Sequence, residues 1–519
     1  MTRPCEPLVP RPRVAWWVGA ALACCVAGCG GGGGSAPGSY AVGGMLSGLP
    51  AGASVTLQDN ASDTLTLSAD GAFSFQTTLA GASRYAVTVL RHTVGVSCSV
   101  AQGSGSVGQG TATGVAVQCG PGTETLLHSF GATGSGDGIN PRGLAIDGAG
   151  DLFGTTVFGG ANDAGVVYEI PKTAGGYGAE VVLASFAASG VNATGSNPVG
   201  DLLVDSAGDL FGTTSSGGAN DTGVVYEIPK TAGGYGTEAV LASFAASGVN
   251  ATGAGPGGDL AIDSAGDLFG TTYAGGANNT GVVYEIPKTA GGYGTEVVLA
   301  SFAAAGANAT GAQADAGVSL DSAGNLYGTT YSGGANDTGV VYEIPKTAGG
   351  YGTEVVLASF GVTGANATGG YPLSGVTLDA AGNLYGATDF GGANDTGVVY
   401  EIPKTAGGYG TEVVLASFAA GGVNTVGSYA ANPVLVDSAG NLYGTTSSGG
   451  ANNTGVVYEF PRSVSGFGPE VLLASFAALG ANSAGSYPRA ALQLDSAGNL
   501  YGSTYEGGAN NTGAVFEID

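Results

Sequence analysis

The leucine of a Leu-(Phe/Tyr)-Gly triplet falls at residues 152, 210, 268, 326, 384, 442 and 500, and every interval is 58. The aspartate of the preceding turn keeps the same step: Asp147, Asp205, Asp263, Asp321, Asp379, Asp437 and Asp495. Seven copies without slippage mean that each is one structural unit, burying its apolar face against its neighbours. Composition fits such an array. Glycine supplies 101 of 519 residues without a Gly-X-Y period, which excludes collagen, and 43% hydrophobic residues is too many for a disordered chain. A net charge of −26 argues against nucleic-acid partners, which need clustered Lys and Arg.

Each unit reads as four short strands. In the second copy these are Asp201–Val204, Asp209–Thr214, Val224–Ile228 and Glu238–Phe244. Pro229 ends the third, since proline cannot donate to a ladder. Four strands joined by compact turns and one longer connection describe a propeller blade. The array opens at 123–130 with a segment matching a fourth strand and closes at 514–518 with one matching a third. Pairing the spare strand with the last copy completes seven sheets and removes an open edge. The expectation is therefore an all-β chain: a seven-bladed β-propeller over 123–519, closed by its N-terminal strand. The Asp201-type strands line its axis and the Glu238-type strands its rim.

Residues 1–28 read as a signal peptide, with Arg3, Arg11 and Arg13 before an apolar stretch too short to span a bilayer. Val26-Ala27-Gly28-Cys29 resembles the lipobox of bacterial lipoproteins, which implies lipidation of Cys29 and a bacterial envelope address, outer membrane or cell surface. Residues 29–39 are a Gly-rich tether. Residues 40–120 read as a small Ig-like β-sandwich, with Asp70-Gly71 as a hairpin signal. Cys98 and Cys119 are the thiols left after processing and lipidation, and in an oxidising compartment they are expected to pair.

The segments Asp321-Ser322-Ala323-Gly324-Asn325-Leu326-Tyr327-Gly328-Thr329-Thr330, Gly333-Gly334-Ala335-Asn336 and Gly339-Val340-Val341-Tyr342 carry a family resemblance. They resemble the GloVer-type tandem repeat of anchored, secreted bacterial proteins, also known as choice-of-anchor proteins. The resemblance covers all seven units and implies a repeat-built extracellular β structure; the family brings no established activity. A looser likeness links the Asp-x-x-Gly-Asn-Leu-Tyr stretch to NHL-type propellers.

The repeated polar residues read first as structure. Asp321 opens a tight turn with Gly324 at positive φ, and Asn336 and Asp337 suit tight loops. Calcium is the weaker alternative at both places, and no metal or other cofactor is assigned. Glu343 and Lys346 read as a solvated rim pair worth about 0–1 kcal/mol. His128 stands where other copies have Ala and reads as tolerated variation. No nucleophile elbow, zinc-protease helix or P-loop occurs, so no catalytic residue is assigned.

Differences between copies concentrate in two connections, one after the second strand and one between units. They carry Phe158, Tyr273, Tyr331, Tyr371, Phe390, Tyr429, Tyr487 and Tyr505, expected on one face. Aromatic rings among Asn, Ser and Thr suit glycan or peptide recognition; drift in unconstrained loops is the alternative. The function expected is non-enzymatic binding or scaffolding by a lipid-anchored, monomeric surface protein. A polysaccharide-active glycosidase or lyase, and an envelope-assembly scaffold, are the rivals.

Overall fold

A computed structural model describes residues 38–108, 110–131, 136–187, 194–245, 252–303, 310–362, 368–419, 427–430, 432–464, 466–477 and 484–519. The expected signal peptide and Cys29 lie outside them. Among the described residues every regular element is a strand.

From residue 138 onward six four-stranded sheets repeat one antiparallel order. In the second unit it is Ser196–Val204, Leu210–Ser216, Val224–Ile228 and Ala239–Ser243. The seventh sheet takes its outer strand from the other end of the array. Glu124–Ser129 pairs antiparallel with Ala514–Ile518, with Leu126 opposite Phe516. Apolar cores form between consecutive units, as where Phe153, Val167 and Phe186 meet Leu210, Val224 and Tyr226. One such core joins the two ends: Phe130, Leu144, Leu152 and Val166 pack with Ala490, Tyr501 and Val515. Full burial of each large side chain contributes about 1.5–3 kcal/mol.

The Leu-(Phe/Tyr)-Gly triplet has a local cause. Gly328 lies opposite Tyr342, and a Cβ on Gly328 would fall 2.4 Å from the Tyr342 hydroxyl. The buried tyrosine of the third strand thus requires the glycine of the second. Two features differ from expectation. The first strand is longer than expected in units one to three, as in Ser196–Val204, with a register shift between Val199 and Leu203. In units four to six only two residues stay in that strand, Ser319–Leu320 in the fourth. The expected turn after the third strand is itself a tiny hairpin, Lys230–Thr231 against Gly234–Tyr235.

Residues 39–121 form two four-stranded sheets and a short pair, Ser39–Tyr40 with Leu79–Ala80; the two larger sheets share one core, in which Val42, Leu46, Val115 and Val117 face Val55, Leu57 and Val87. Val42–Ser47 is central in its sheet and pairs in parallel with Ala112–Pro121. Its Gly43-Gly44 pair breaks the alternation that marks a strand in sequence, yet Gly44 is needed there, since a Cβ would meet the Val115 carbonyl oxygen at 1.7 Å. Asp70-Gly71 is not a hairpin turn. It carries the chain from one sheet to the other, and the Asp70 carboxylate accepts the Gly48 and Leu49 amides at 2.8 Å.

The Cys98–Cys119 disulfide is present, and its residues face each other on neighbouring antiparallel strands. It therefore staples two strands of one sheet rather than one sheet to the other. This module rests on the last units: the Arg91 guanidinium donates to Ser438 Oγ at 3.1 Å and the His92 amide to the Ala497 carbonyl at 2.9 Å.

Candidate functional site

The connection between units turns at the same point in every copy. Asn140, Asn197, Gly255, Gln313, Tyr371, Tyr429 and Tyr487 all have φ between 54° and 63°. Each of their amides donates to a loop carbonyl of the preceding unit, Tyr371 to Thr338 at 2.7 Å and Asn140 to Thr512 of the last unit at 2.8 Å. Glycine and asparagine tolerate this left-handed geometry, but a tyrosine there costs about 1–2 kcal/mol. Three units hold tyrosine in it, and strain of this kind collects at functional positions.

Two of these three tyrosines, Tyr371 and Tyr429, lean on the connection after the second strand. Tyr371 lies between Tyr331 at 5.1 Å and Phe390 at 5.8 Å between ring centres, and Phe390 reaches Tyr429 at 5.5 Å. Four of the eight aromatic candidates thus form one contiguous run across three units. Tyr273 is hydrogen-bonded to the Gln313 amide and lines the central cavity. Tyr505 lies 5.9 Å from the Arg489 guanidinium carbon. Phe158 and Tyr487 are exposed at 36% and 37%, outside that run.

A cavity of about 430 Å³ is lined by residues of all seven units, among them Tyr273 and, from the connections that carry Tyr371 and Tyr429, Leu373 and Asn432. Its charged lining is Arg142, Asp201, Asp259, Asp315 and Arg489. Asp201 Oδ1 accepts the Leu144 amide at 2.9 Å, and Asp259 Oδ1 accepts the Asp201 amide at 2.6 Å. The two carboxylates are enclosed by protein while part of their surface opens onto the cavity. Burial pushes both acids up, and for Asp201 the charge of Asp259 adds to it. Asp315 is also raised by burial, against the pull of Arg142. Arg142 is lowered by burial and then by the like charge of Arg489, with Asp315 opposing. Nearby, burial pushes Asp389 up to about 6 against the pull of Arg489, and its Oδ1 has no hydrogen-bond partner.

Sequence reasoning passed over these charges, although a signal was available. Setting copies side by side from the Tyr371-type residue, the second position onward reads Arg142, Val199, Gly257, Asp315, Leu373, Ala431 and Arg489. Asp201 and Asp259 stand two positions further on in their units. In a chain only 10% charged, five charges within three positions of one period is a concentration.

The repeated polar residues are consumed by their own units. Asp321 Oδ1 accepts the Ala323 and Asn325 amides at 2.9 Å, while Oδ2 accepts from the Asn325 side chain and the Tyr327 hydroxyl. Burial would raise this carboxyl, but those bonds outweigh it and hold it low. Asp337 caps the Gly333 amide at 3.0 Å, and the Asn336 side chain donates to the Phe360 carbonyl at 2.6 Å. The expected Glu343–Lys346 pair does not form. Lys346 Nζ instead sits 3.9 Å from the centre of the Tyr351 ring, and the carboxylate it influences is Glu285 of the preceding unit. Glu343 accepts from the Tyr327 hydroxyl at 3.4 Å.

His128 is not idle variation either. Its Nε2 lies 3.1 Å from Glu180 Oε2, and burial raises Glu180 to about 7 against the pull of that imidazole.

The family model described as Gloeobacter/Verrucomicrobia repeat matches residues 84–314, 236–432 and 320–519. No curated protein matches the sequence. Among solved structures, the chain is similar to the extracellular domain of a B. thetaiotaomicron protein described as a one component system. The identity is 13% and the TM-score 0.44, and the match covers 80% of this chain but only 44% of that one.

Proposed function

Because the chain belongs to the Gloeobacter/Verrucomicrobia repeat family, we propose that its units are the blades of a closed seven-bladed propeller serving as a ligand-binding module. Three observations support closure: the pairing of Glu124–Ser129 with Ala514–Ile518, the core shared by first and last units, and a cavity lined by every unit. The lipobox-like Val26-Ala27-Gly28-Cys29 supports a lipid-anchored protein of the bacterial envelope, with the propeller held off the membrane by the tether.

The ligand class we infer is an acidic glycan, bound without chemistry. The observation that carries this is that the inter-unit connections, where the copies differ, supply the charged lining of the cavity and two members of the aromatic run. Tyr331, Tyr371, Phe390 and Tyr429 offer a run of ring faces and edges for sugar rings. Arg142 and Arg489 disfavour each other in a low-dielectric setting, and a ligand carboxylate relieves that repulsion while accepting bidentate hydrogen bonds. Asp201, Asp259 and Asp315, raised by burial, supply directed polar contacts to hydroxyls.

The test is an array of neutral and uronate-containing oligosaccharides and acidic peptides, followed by titration of the best ligand. Uronate binding that weakens at least about tenfold in Arg142→Ala/Arg489→Ala, the loss of one to two charge-assisted bonds, is the expected result. Absence of glycan binding, or equal binding by the double variant, would overturn it.

A second reading has one observation in its favour. Asp389 has an unpartnered buried oxygen and is raised to about 6, and its charge is felt by Tyr331, which suits proton transfer on a polysaccharide. New reducing ends or unsaturated sugars after incubation, lost in Asp389→Asn, would establish that enzyme reading instead.

A further inference from the structure

The seam between the chain's two ends carries a cluster that no other unit reproduces. His128 lies on the strand that pairs with Ala514–Ile518, Asp137 in the connection that follows it, and Glu180 just before the outer strand Val181–Ser185 of the first unit. One ligand atom from each lies within 4.8 Å of the other two. The Glu180 side chain is only 8% exposed and that of His128 19%. Glu180 Oε1 and Asp137 Oδ1 are buried without hydrogen-bond partners, and His128 Nε2 has only the Glu180 Oε2 contact at 3.1 Å. Buried polar atoms normally find partners, so two carboxylate oxygens left over beside one imidazole call for a missing one.

The other units act as internal controls. At the place of His128 they have Ala184, Ala242, Ala300, Ala358, Ala416 and Ala474. At the place of Asp137 stand Thr194, Thr252, Thr310 and Thr368, whose hydroxyls accept the loop amide at 3.2 Å. Asp137 makes the same loop bond with Oδ2, at 2.7 Å from the Gly131 amide, and so keeps a second oxygen free. The glutamate recurs as Glu238, Glu296, Glu354, Glu412 and Glu470. Only the seam adds an imidazole and a second carboxylate to it.

We propose that His128, Asp137 and Glu180 bind a divalent transition-metal ion of the zinc class, which clamps the closing strand to the first unit. One imidazole nitrogen and two carboxylate oxygens are the donor set of a three-ligand site whose fourth position is left to water. Calcium fits less well, because it takes six to eight oxygens. Zinc bonds of about 2.0–2.2 Å place tetrahedral ligands roughly 3.3–3.6 Å apart, so the widest pair closes by about 1 Å, within reach of side-chain rotation. The ion neutralises two carboxylates that otherwise share a poorly hydrated site.

The test uses the full chain in detergent, purified without a histidine tag and stripped with EDTA. Zinc sulfate is titrated by calorimetry and melting is followed with and without the ion. His128→Ala and Asp137→Thr each install the residue that other units carry at that place, so their folding is safeguarded. The expected result is one zinc equivalent more in the wild type than in either variant, and a melting temperature that zinc raises in the wild type alone. With Co(II) in place of zinc, a visible absorption band should appear in the wild type and be lost in His128→Ala. Equal zinc stoichiometry in wild type and His128→Ala, or a wild-type melt that zinc does not shift, would overturn the proposal.

Discussion

The rim turn and the cavity mouth are built from the same 58-residue text and treat it in opposite ways. At the rim, Lys172, Lys230, Lys288, Lys346 and Lys404 each lie over the ring of their own hairpin's tyrosine at 3.8–4.0 Å, and Arg462 over Phe467 at 4.4 Å. Their amides all donate to the side chain of the residue at the end of the preceding turn, as Lys346 does to Asn325 at 2.8 Å. At the mouth the backbone geometry is equally regular, with seven left-handed residues in step, but the side chains diverge into Asn, Gly, Gln and Tyr. A repeat keeps its residues where side chains serve their own backbone. It is free to vary them where, as at these seven residues, the turn uses only the backbone amide.

The largest effect should come from breaking what both regions depend on. Deleting residues 123–130 removes the outer strand of the last sheet together with Phe130, which is fully buried between the ends of the array. Aggregation or domain-swapped oligomers, or a melting temperature lower by 10 °C or more, is expected by scanning calorimetry and light scattering, because an unpaired edge is exposed and a core emptied. A monomer with unchanged melting would mean that the ends do not need each other.

Next comes a pair of substitutions aimed at the contrast itself. Gly328→Ala puts a Cβ 2.4 Å from the Tyr342 hydroxyl and should destabilise by about 1–3 kcal/mol, a shift of a few degrees. Tyr371→Gly should do the reverse. It relieves a left-handed tyrosine at φ 57° while opening the aromatic run between Tyr331 and Phe390. Its melting temperature should stay level or rise while affinity for the proposed uronate ligand falls, the trade expected where strain is kept for function. If Tyr371→Gly melts lower by as much as Gly328→Ala does, the mouth is scaffold after all.

The architecture was legible because its causes are local and repeated. Period, proline after the third strand and the spare strand at residue 123 each follow from residues adjacent in the chain, and the sheets carry that pattern. Val42–Ser47 was illegible because Gly43-Gly44 hides its alternation, and the parallel partner that needs Gly44 is distant in sequence. The site was half legible. The aromatic residues differ conspicuously between copies, whereas Arg142, Asp201 and Asp315 look like scattered surface charges until the units are superposed on one cavity. His128 was misread for the same reason: Glu180 is 52 residues away, and only packing across the seam makes it a neighbour.

A smaller effect follows from two glutamates that stand just before outer strands, Glu412 before Val413–Ser417 and Glu470 before Val471–Ser475. Burial raises Glu412 and Glu470 from the usual carboxyl value of about 4.5 to about 8. Between those values the native carboxyls hold protons that the unfolded chain has released. Their stabilising contribution is therefore full below about pH 4.5 and lost as pH rises through 8. Melting temperature should fall from pH 5 to pH 8.5, and Glu412→Gln/Glu470→Gln should flatten the slope, chiefly by raising the alkaline end. Parallel slopes for both proteins would show that these two groups do not titrate in this window.

The smallest effect is expected at the most regular feature. Lys346→Ala deletes the ammonium over Tyr351, an exposed cation–π contact worth about 0.5–1 kcal/mol. It leaves the hydrogen bond to Asn325 intact, because the donor there is the backbone amide. In a chain this long such a loss should lower the melting temperature by roughly 1–2 °C at most. Six-fold recurrence of a cation at the rim then reflects reuse of an undemanding turn rather than a strong contact, and the left-handed tyrosines at the mouth are the costlier geometry to keep. A Lys346→Ala loss as large as that of Gly328→Ala would reverse that ranking and make the rim the constrained region.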